Sequence, residues 1–229
     1  IAQSRHSGES RNPVIGMLIE KIFWIVRSSR TFDSLKAFCN SPNMEEKIII
    51  AGAGGQGIML LGKVLAEAAM RKNKFITWLP AYGAEVRGGT AYCMIIISDK
   101  EIGSPYIHKA DTLIIMNNLS LEKFKNRIKK NGLMLINASF IKNDLLISPK
   151  MLKYSFTDIA KNMGNIKVAN MIALGSYLAN RKILDTQTVI KAIEEMTPPE
   201  KKYLIEINKE ALLAGKKLTL SAHEALTGA

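Results

Sequence analysis

From Met44 onward, short runs of consecutive apolar residues alternate with longer stretches in which apolar side chains recur every three or four positions. The first pattern suits strands buried on both faces and the second suits helices with one covered face. On this reading strands occupy residues 48–51, 75–79, 90–98, 112–117 and 133–137, with a further edge strand over 144–148. Helices are predicted over 56–71, over 121–130 with Ser120 as its cap and Asn131-Gly132 as its stop, and over 158–163, 168–180, 186–196 and 199–213. The last of these follows a Thr-Pro-Pro start signal. Strands alternating with helices, then helices alone, predict an α/β fold: a Rossmann-like, mostly parallel sheet flanked by helices, with a helical C-terminal part.

The first 43 residues read differently. Residues 1–14 are polar, the apolar patch at 15–26 is interrupted by Glu20 and Lys21, and the stretch up to Pro42 is rich in Ser, Arg and Asn. Met44 is followed directly by Glu-Glu-Lys and the first good strand, so residues 1–43 are expected to be an upstream translated extension or a poorly ordered tail. A targeting peptide fits less well, because Glu9, Glu20 and Asp33 are acidic and a small-residue cleavage site is missing. A single domain over 44–215 and a tail over 216–229 are expected. No window approaches the roughly 18 uninterrupted apolar residues of a membrane span.

The densest chemistry lies where the first strand meets the first long helix. Gly52, Gly54 and Gly57 stand at G-x-G-x-x-G spacing, with Gly55 and Gln56 between them. Such spacing permits a tight turn and close backbone approach to a bound group, and the helix that follows aims its free N–H groups at the same place. A bare glycine turn can equally be a packed junction with nothing bound. The dinucleotide version also requires an acid near the end of the second strand, where Thr77, Trp78, Leu79 and Pro80 stand instead, so NAD is disfavoured. A second string, AYGAEVRGGTAYC, places Tyr82, Glu85, Arg87, Gly88 and Gly89 between two strands. Loops of that content usually carry function, although Glu85 and Arg87 could be no more than a surface ion pair. His108 reads as solvent-facing and Cys93 as core.

Composition narrows the classes. A hydrophobic content of 47% and a charged content of 23% are ordinary for a soluble protein. The net charge of +12 comes from scattered lysines and arginines without a nucleic-acid motif, so a docking face for an acidic partner subunit is preferred to nucleic-acid binding. Two cysteines, Cys39 and Cys93, with no C-x-x-C pair and no paired His ligands argue against a disulfide framework, a structural zinc site and a four-cysteine cluster housed by this chain alone. Reducing cytoplasm fits best.

Three segments, IIIAGAGGQGIMLLGKVLAEAA, LPAYGAEVRGGTAYCMIIISDKEIGSP and KADTLIIMNNLSLEKF, resemble in order and spacing the gamma subunit, or gamma domain, of thiamine-dependent 2-oxoacid:ferredoxin oxidoreductases. Tyr82 and the G-G-T-A-x-C continuation lean towards the 2-oxoglutarate or branched-chain 2-oxoacid branch rather than the pyruvate branch. The resemblance implies oxidative decarboxylation of a 2-oxoacid to an acyl-CoA and carbon dioxide, with ferredoxin reduced. It implies that this chain is inactive alone, holds no cofactor and supplies no catalytic or metal-ligating residue. Thiamine diphosphate, Mg and iron-sulfur clusters would sit on alpha, beta and ferredoxin-like delta subunits, with coenzyme A as a substrate. Gly52, Gly54, Gly55, Gln56, Gly57, Tyr82, Glu85, Arg87, Gly88 and Gly89 would then line the coenzyme A approach or a subunit interface. The rival readings are a nucleotide- or phosphate-binding Rossmann-like module outside any redox complex, and a purely structural scaffold subunit.

Overall fold

A computed structural model describes residues 44–81, 90–141 and 150–227, with side chains as far as residue 220. Its centre is a six-stranded sheet in the order β2-β3-β1-β4-β5-β6. The strands are β1 (Glu45–Ala53), β2 (Phe75–Ala81), β3 (Thr90–Ser98), β4 (Ala110–Ile115), β5 (Ile128–Asn137) and β6 (Lys150–Tyr154). Only β3 runs against the others, since it pairs antiparallel with both β1 and β2, whereas β1-β4, β4-β5 and β5-β6 are parallel. The expected mostly parallel α/β sheet is what the chain forms.

Alternation along β1 explains why this strand is central. Ile48 and Ile50 enter one core, Ile49 and Ala51 the other, and all four are wholly buried. The first core is covered by α1 (Ile58–Met70), α3 (Phe156–Asn162), α4 (Ala169–Arg181), α5 (Thr186–Met196) and α6 (Ile205–Thr227). The second is smaller and takes Leu121 and Phe124 from α2 (Asn118–Phe124). The helix after β1 and the helix after β4 therefore lie on opposite faces of two adjacent parallel strands. That is a topological switch point, and it opens a crevice at the carboxyl ends of β1 and β4.

Four expectations need correction or relocation. Asn117, not Ser120, caps α2, accepting the Ser120 N–H on its side-chain oxygen at 2.9 Å. The helix ends at Phe124 rather than at residue 130, because Ile128 pairs with Ala110 and draws the following residues into β5. Asn131 and Gly132 thus lie inside a strand, at a register irregularity opposite residues 110–112. The expected stop at Leu213 and tail from 216 also give way, since α6 continues to Thr227 and Thr219 is wholly buried. The expected strand at 144–148 lies outside the described residues, and the described edge strand is Lys150–Tyr154.

Helix α5 begins where the sequence places it. Asp185 caps it, accepting from the Thr188 N–H at 2.8 Å, and pairs with Lys72 at 2.7 Å. The Lys72 ammonium and the Thr188 N–H hold this carboxyl well below its usual range. A depressed folded-state value means that the contribution is present above the unfolded pKa and is lost as pH falls through the folded one. Asp185→Ala should cost about 1 kcal/mol at neutral pH, mostly for the lost cap, because the half-exposed ion pair adds little. The melting temperature should drop by roughly 2–4 °C. In matched melts, that gap should narrow once the pH is lowered below about 4.

Candidate functional site

The glycine loop occupies the switch-point crevice. β1 ends at Ala53, the chain turns through Gly54 to Gly57, and α1 starts at Ile58 with Gly57 in the left-handed region at φ 70°. Gly55 is also left-handed, at φ 85°. A side chain at Gly52 would collide with the Gln56 side chain at 2.6 Å and Met116 at 2.9 Å, so this position must stay bare. Among the described residues no side chain caps α1, which leaves its first N–H groups open there.

Gln56 ties the loop to its neighbours. Its Oε1 accepts from the Ala53 N–H at 2.7 Å, and its Nε2 donates to the Met116 carbonyl at 3.2 Å. The same carbonyl accepts from Asn137 Nδ2 at 3.4 Å, and Met116 itself donates its N–H to the Ala51 carbonyl at 2.8 Å. Asn137, wholly buried at the end of β5, also donates to Thr157 Oγ1 at 2.8 Å and so fixes the start of α3. From the far side, Asn170 in the first turn of α4 donates its Nδ2 to the Gly57 carbonyl at 3.1 Å.

These contacts frame a cleft of about 130 Å³ lined by Gly55, Gln56, Met116, Phe140, Thr157 and Ile166, with Lys167 and Ala169 completing it. Phe140 and Ile166 are each 50% exposed at its rim, and Leu60 and Leu119, in the first turns of α1 and α2, are comparably open. Apolar side chains of this size left open around a concave, amide-lined crevice suit contact with a ligand or another protein surface.

Of the ten sequence-derived site residues, Gly52, Gly54, Gly55, Gln56 and Gly57 are brought together here. Tyr82, Glu85, Arg87, Gly88 and Gly89 lie outside the described residues. The flanking strands end at Ala81 and begin at Thr90, and Thr90 is register-paired with Ala53 at the mouth of the glycine loop. Sequence reasoning missed Asn137, Phe140, Thr157, Lys167 and Asn170. None belongs to a recognisable motif, and only the chain's return across the sheet makes them neighbours of the loop.

The dinucleotide reading also fails structurally. In that fold the ribose-binding acid ends the strand next to β1, whereas antiparallel β3 holds that place here and β2 lies one strand further out. Cys93 is wholly buried between β1 and β2, and burial pushes its thiol up to about 12, which suits a core side chain and not a nucleophile. His108 is exposed, its ring edge-on to Tyr106 at 4.8 Å. Among the described residues, no three His, Cys, Asp or Glu side chains cluster to hold a metal ion, and no helix is long and apolar enough to cross a membrane.

Known proteins share both sequence and fold with this chain. The family described as pyruvate ferredoxin/flavodoxin oxidoreductase matches residues 47–218. The ketoisovalerate oxidoreductase subunit VorA of Methanothermobacter marburgensis is 35% identical over 188 residues, covering 80% of this chain and 38% of VorA. The chain thus spans about two fifths of that relative. The 2-oxoglutarate synthase subunit KorC of Methanocaldococcus jannaschii is 33% identical over 172 residues, covering 72% of this chain and 92% of KorC. Among solved structures, the keto/oxoacid ferredoxin oxidoreductase gamma subunit of Geobacter sulfurreducens superimposes with a TM-score of 0.66 at 27% identity, covering 77% of this chain and 99% of that one.

Proposed function

The chain belongs to the pyruvate ferredoxin/flavodoxin oxidoreductase family, and from that premise we propose that it is the gamma-type part of a multi-subunit 2-oxoacid:ferredoxin oxidoreductase. The reaction is oxidative decarboxylation of a 2-oxoacid, 2-oxoglutarate or a branched-chain 2-oxoacid, to an acyl-CoA and carbon dioxide with reduction of ferredoxin in the cytoplasm. The family match across residues 47–218 carries this reading. The names of the VorA and KorC relatives support the choice of substrates.

In this reading the chain shapes a site and leaves the chemistry to its partners. Thiamine diphosphate, Mg and iron-sulfur clusters reside on alpha, beta and ferredoxin-like delta subunits. The donor set of this chain agrees, because an iron-sulfur cluster needs several thiolates, whereas Cys93 is buried with its thiol held protonated. The switch-point crevice supplies the open N–H groups of α1, together with Gln56 and Lys167, for an anionic group such as a phosphate of coenzyme A. Its exposed rim at Phe140 and Ile166 meets the neighbouring subunit. Tyr82, Glu85, Arg87, Gly88 and Gly89 serve the coenzyme A approach or a subunit interface, with the Arg87 guanidinium engaging a carboxylate or phosphate.

Reconstitution with and without this chain tests the proposal. Co-expressed with its partner subunits, the chain should support coenzyme A-dependent reduction of a viologen dye by a 2-oxoacid. Alone it should be colourless and inactive. An iron-sulfur absorption band from the isolated chain, or full activity of the partners without it, would sink the reading.

A further inference from the structure

We propose that Asn170 is a positioning residue for the crevice: its side-chain amide fixes the Gly57 peptide and thereby sets the direction in which α1 presents its open N–H groups. The inference rests on the reading that this crevice meets a ligand of the assembled enzyme. Asn170 is 2% exposed, which is rare for an asparagine unless both ends of the amide are satisfied. Both are: Nδ2 donates to the Gly57 carbonyl at 3.1 Å, and Oδ1 accepts from the Met171 N–H at 2.9 Å.

The Gly57 carbonyl is the acceptor of the first hydrogen bond of α1, from the Leu61 N–H at 3.0 Å. Holding that carbonyl holds the helix origin. The fit is close, since a side chain at Gly57 would come within 2.3 Å of Asn170 Nδ2. Gln56 secures the other side of the loop through Ala53 and Met116. Asn170 itself is anchored by a deeply buried turn, Met171 to Leu174, so its amide is a fixed reference and not a mobile surface group. Among the described residues, no side chain caps the first turn of α1 and competes with a ligand for it. An apolar residue of equal size could fill the space but could not orient the peptide.

Two variants separate positioning from packing. Asn170→Leu keeps the volume and removes the amide, and Asn170→Asp keeps the volume and the acceptor but removes the donor. In the full chain, exchange of the Leu61 amide, which is bonded to the Gly57 carbonyl, and of the amides that follow it in the next turn of α1 should accelerate roughly tenfold in at least one folded variant while the sheet core keeps its protection. In the assembled complex, with coenzyme A as the probe, KM should rise roughly fivefold with kcat little changed. Wild-type exchange at Leu61 and the amides that follow it in α1, or acceleration spread evenly over the chain, would overturn the proposal, as would failure of both variants to fold. If the wild-type complex shows no dependence on coenzyme A, the functional reading fails, and the exchange arm still decides the role of Asn170.

Discussion

Replacing Gly175 with alanine is expected to destabilise the protein by about 3 kcal/mol, at the upper end of ordinary overpacking costs. Helices α4 and α6 cross so closely that a β-carbon at Gly175 would sit 1.9 Å from the Leu212 carbonyl oxygen, and one at Gly215 would sit 1.9 Å from the Ile172 carbonyl oxygen. Both obstacles are backbone, which cannot rotate aside as a side chain can. The helices must separate, and separation breaks the buried Ser176-Thr219 hydroxyl contact of 2.9 Å one turn along. Alanine's better helix propensity returns no more than about 1 kcal/mol. The melting temperature should fall by roughly 6–12 °C. The double variant Gly175→Ala/Gly215→Ala should cost less than the sum of the two, because one widened crossing accommodates both methyl groups. Thermal unfolding followed by circular dichroism decides this, and a wild-type midpoint for Gly175→Ala would mean that the helices do not cross so tightly.

Arg87→Lys is expected to leave the isolated chain's melting temperature unchanged and to lower the specificity constant of the assembled enzyme tenfold to a hundredfold. Flanked by Glu85 and by Gly88-Gly89, an arginine can offer a planar two-pronged donor face to a carboxylate or phosphate, whereas lysine offers a point charge. A lost charge-assisted hydrogen bond of about 1.5–3 kcal/mol gives the stated range. Steady-state kinetics and size-exclusion profiles separate the outcomes. Normal assembly with weakened coenzyme A or 2-oxoacid kinetics supports a ligand-facing guanidinium. Failed assembly moves Arg87 to a subunit interface, and unchanged behaviour in both would reduce it to a surface ion pair.

How far such readings could go from sequence depended on where the deciding interaction lay. β3 at Thr90–Ser98 and α5 at Thr186–Met196 were legible to the residue, because a buried apolar run and a helical recurrence of apolar positions are local signals. The stretch from Leu121 to Lys130 has a helical composition throughout, yet Ile128 is claimed by Ala110 of β4, a partner that no local pattern reveals. The same holds for the end of α6. Gly215 stands two residues past Leu213, where a glycine commonly closes a helix. Here it marks instead the point at which α6 touches α4, and the helix runs on to Thr227. In the crevice, the glycines and Gln56 were legible because spacing in the chain dictates the turn. Asn170 was not, since 113 residues separate it from the Gly57 carbonyl that it holds.

The switch-point crevice is proposed as the face this chain turns to its ligand and partners in a 2-oxoacid oxidoreductase. Hydrogen exchange of the chain, free and in the assembled enzyme with and without coenzyme A, tests this most directly. Amides of residues 54–60 and 166–170 should gain protection on assembly or on addition of coenzyme A, while the opposite end of the sheet, around Glu46 and Arg181, should stay as it was. An active complex in which those amides exchange as fast as in the free chain, with protection appearing elsewhere, would contradict it.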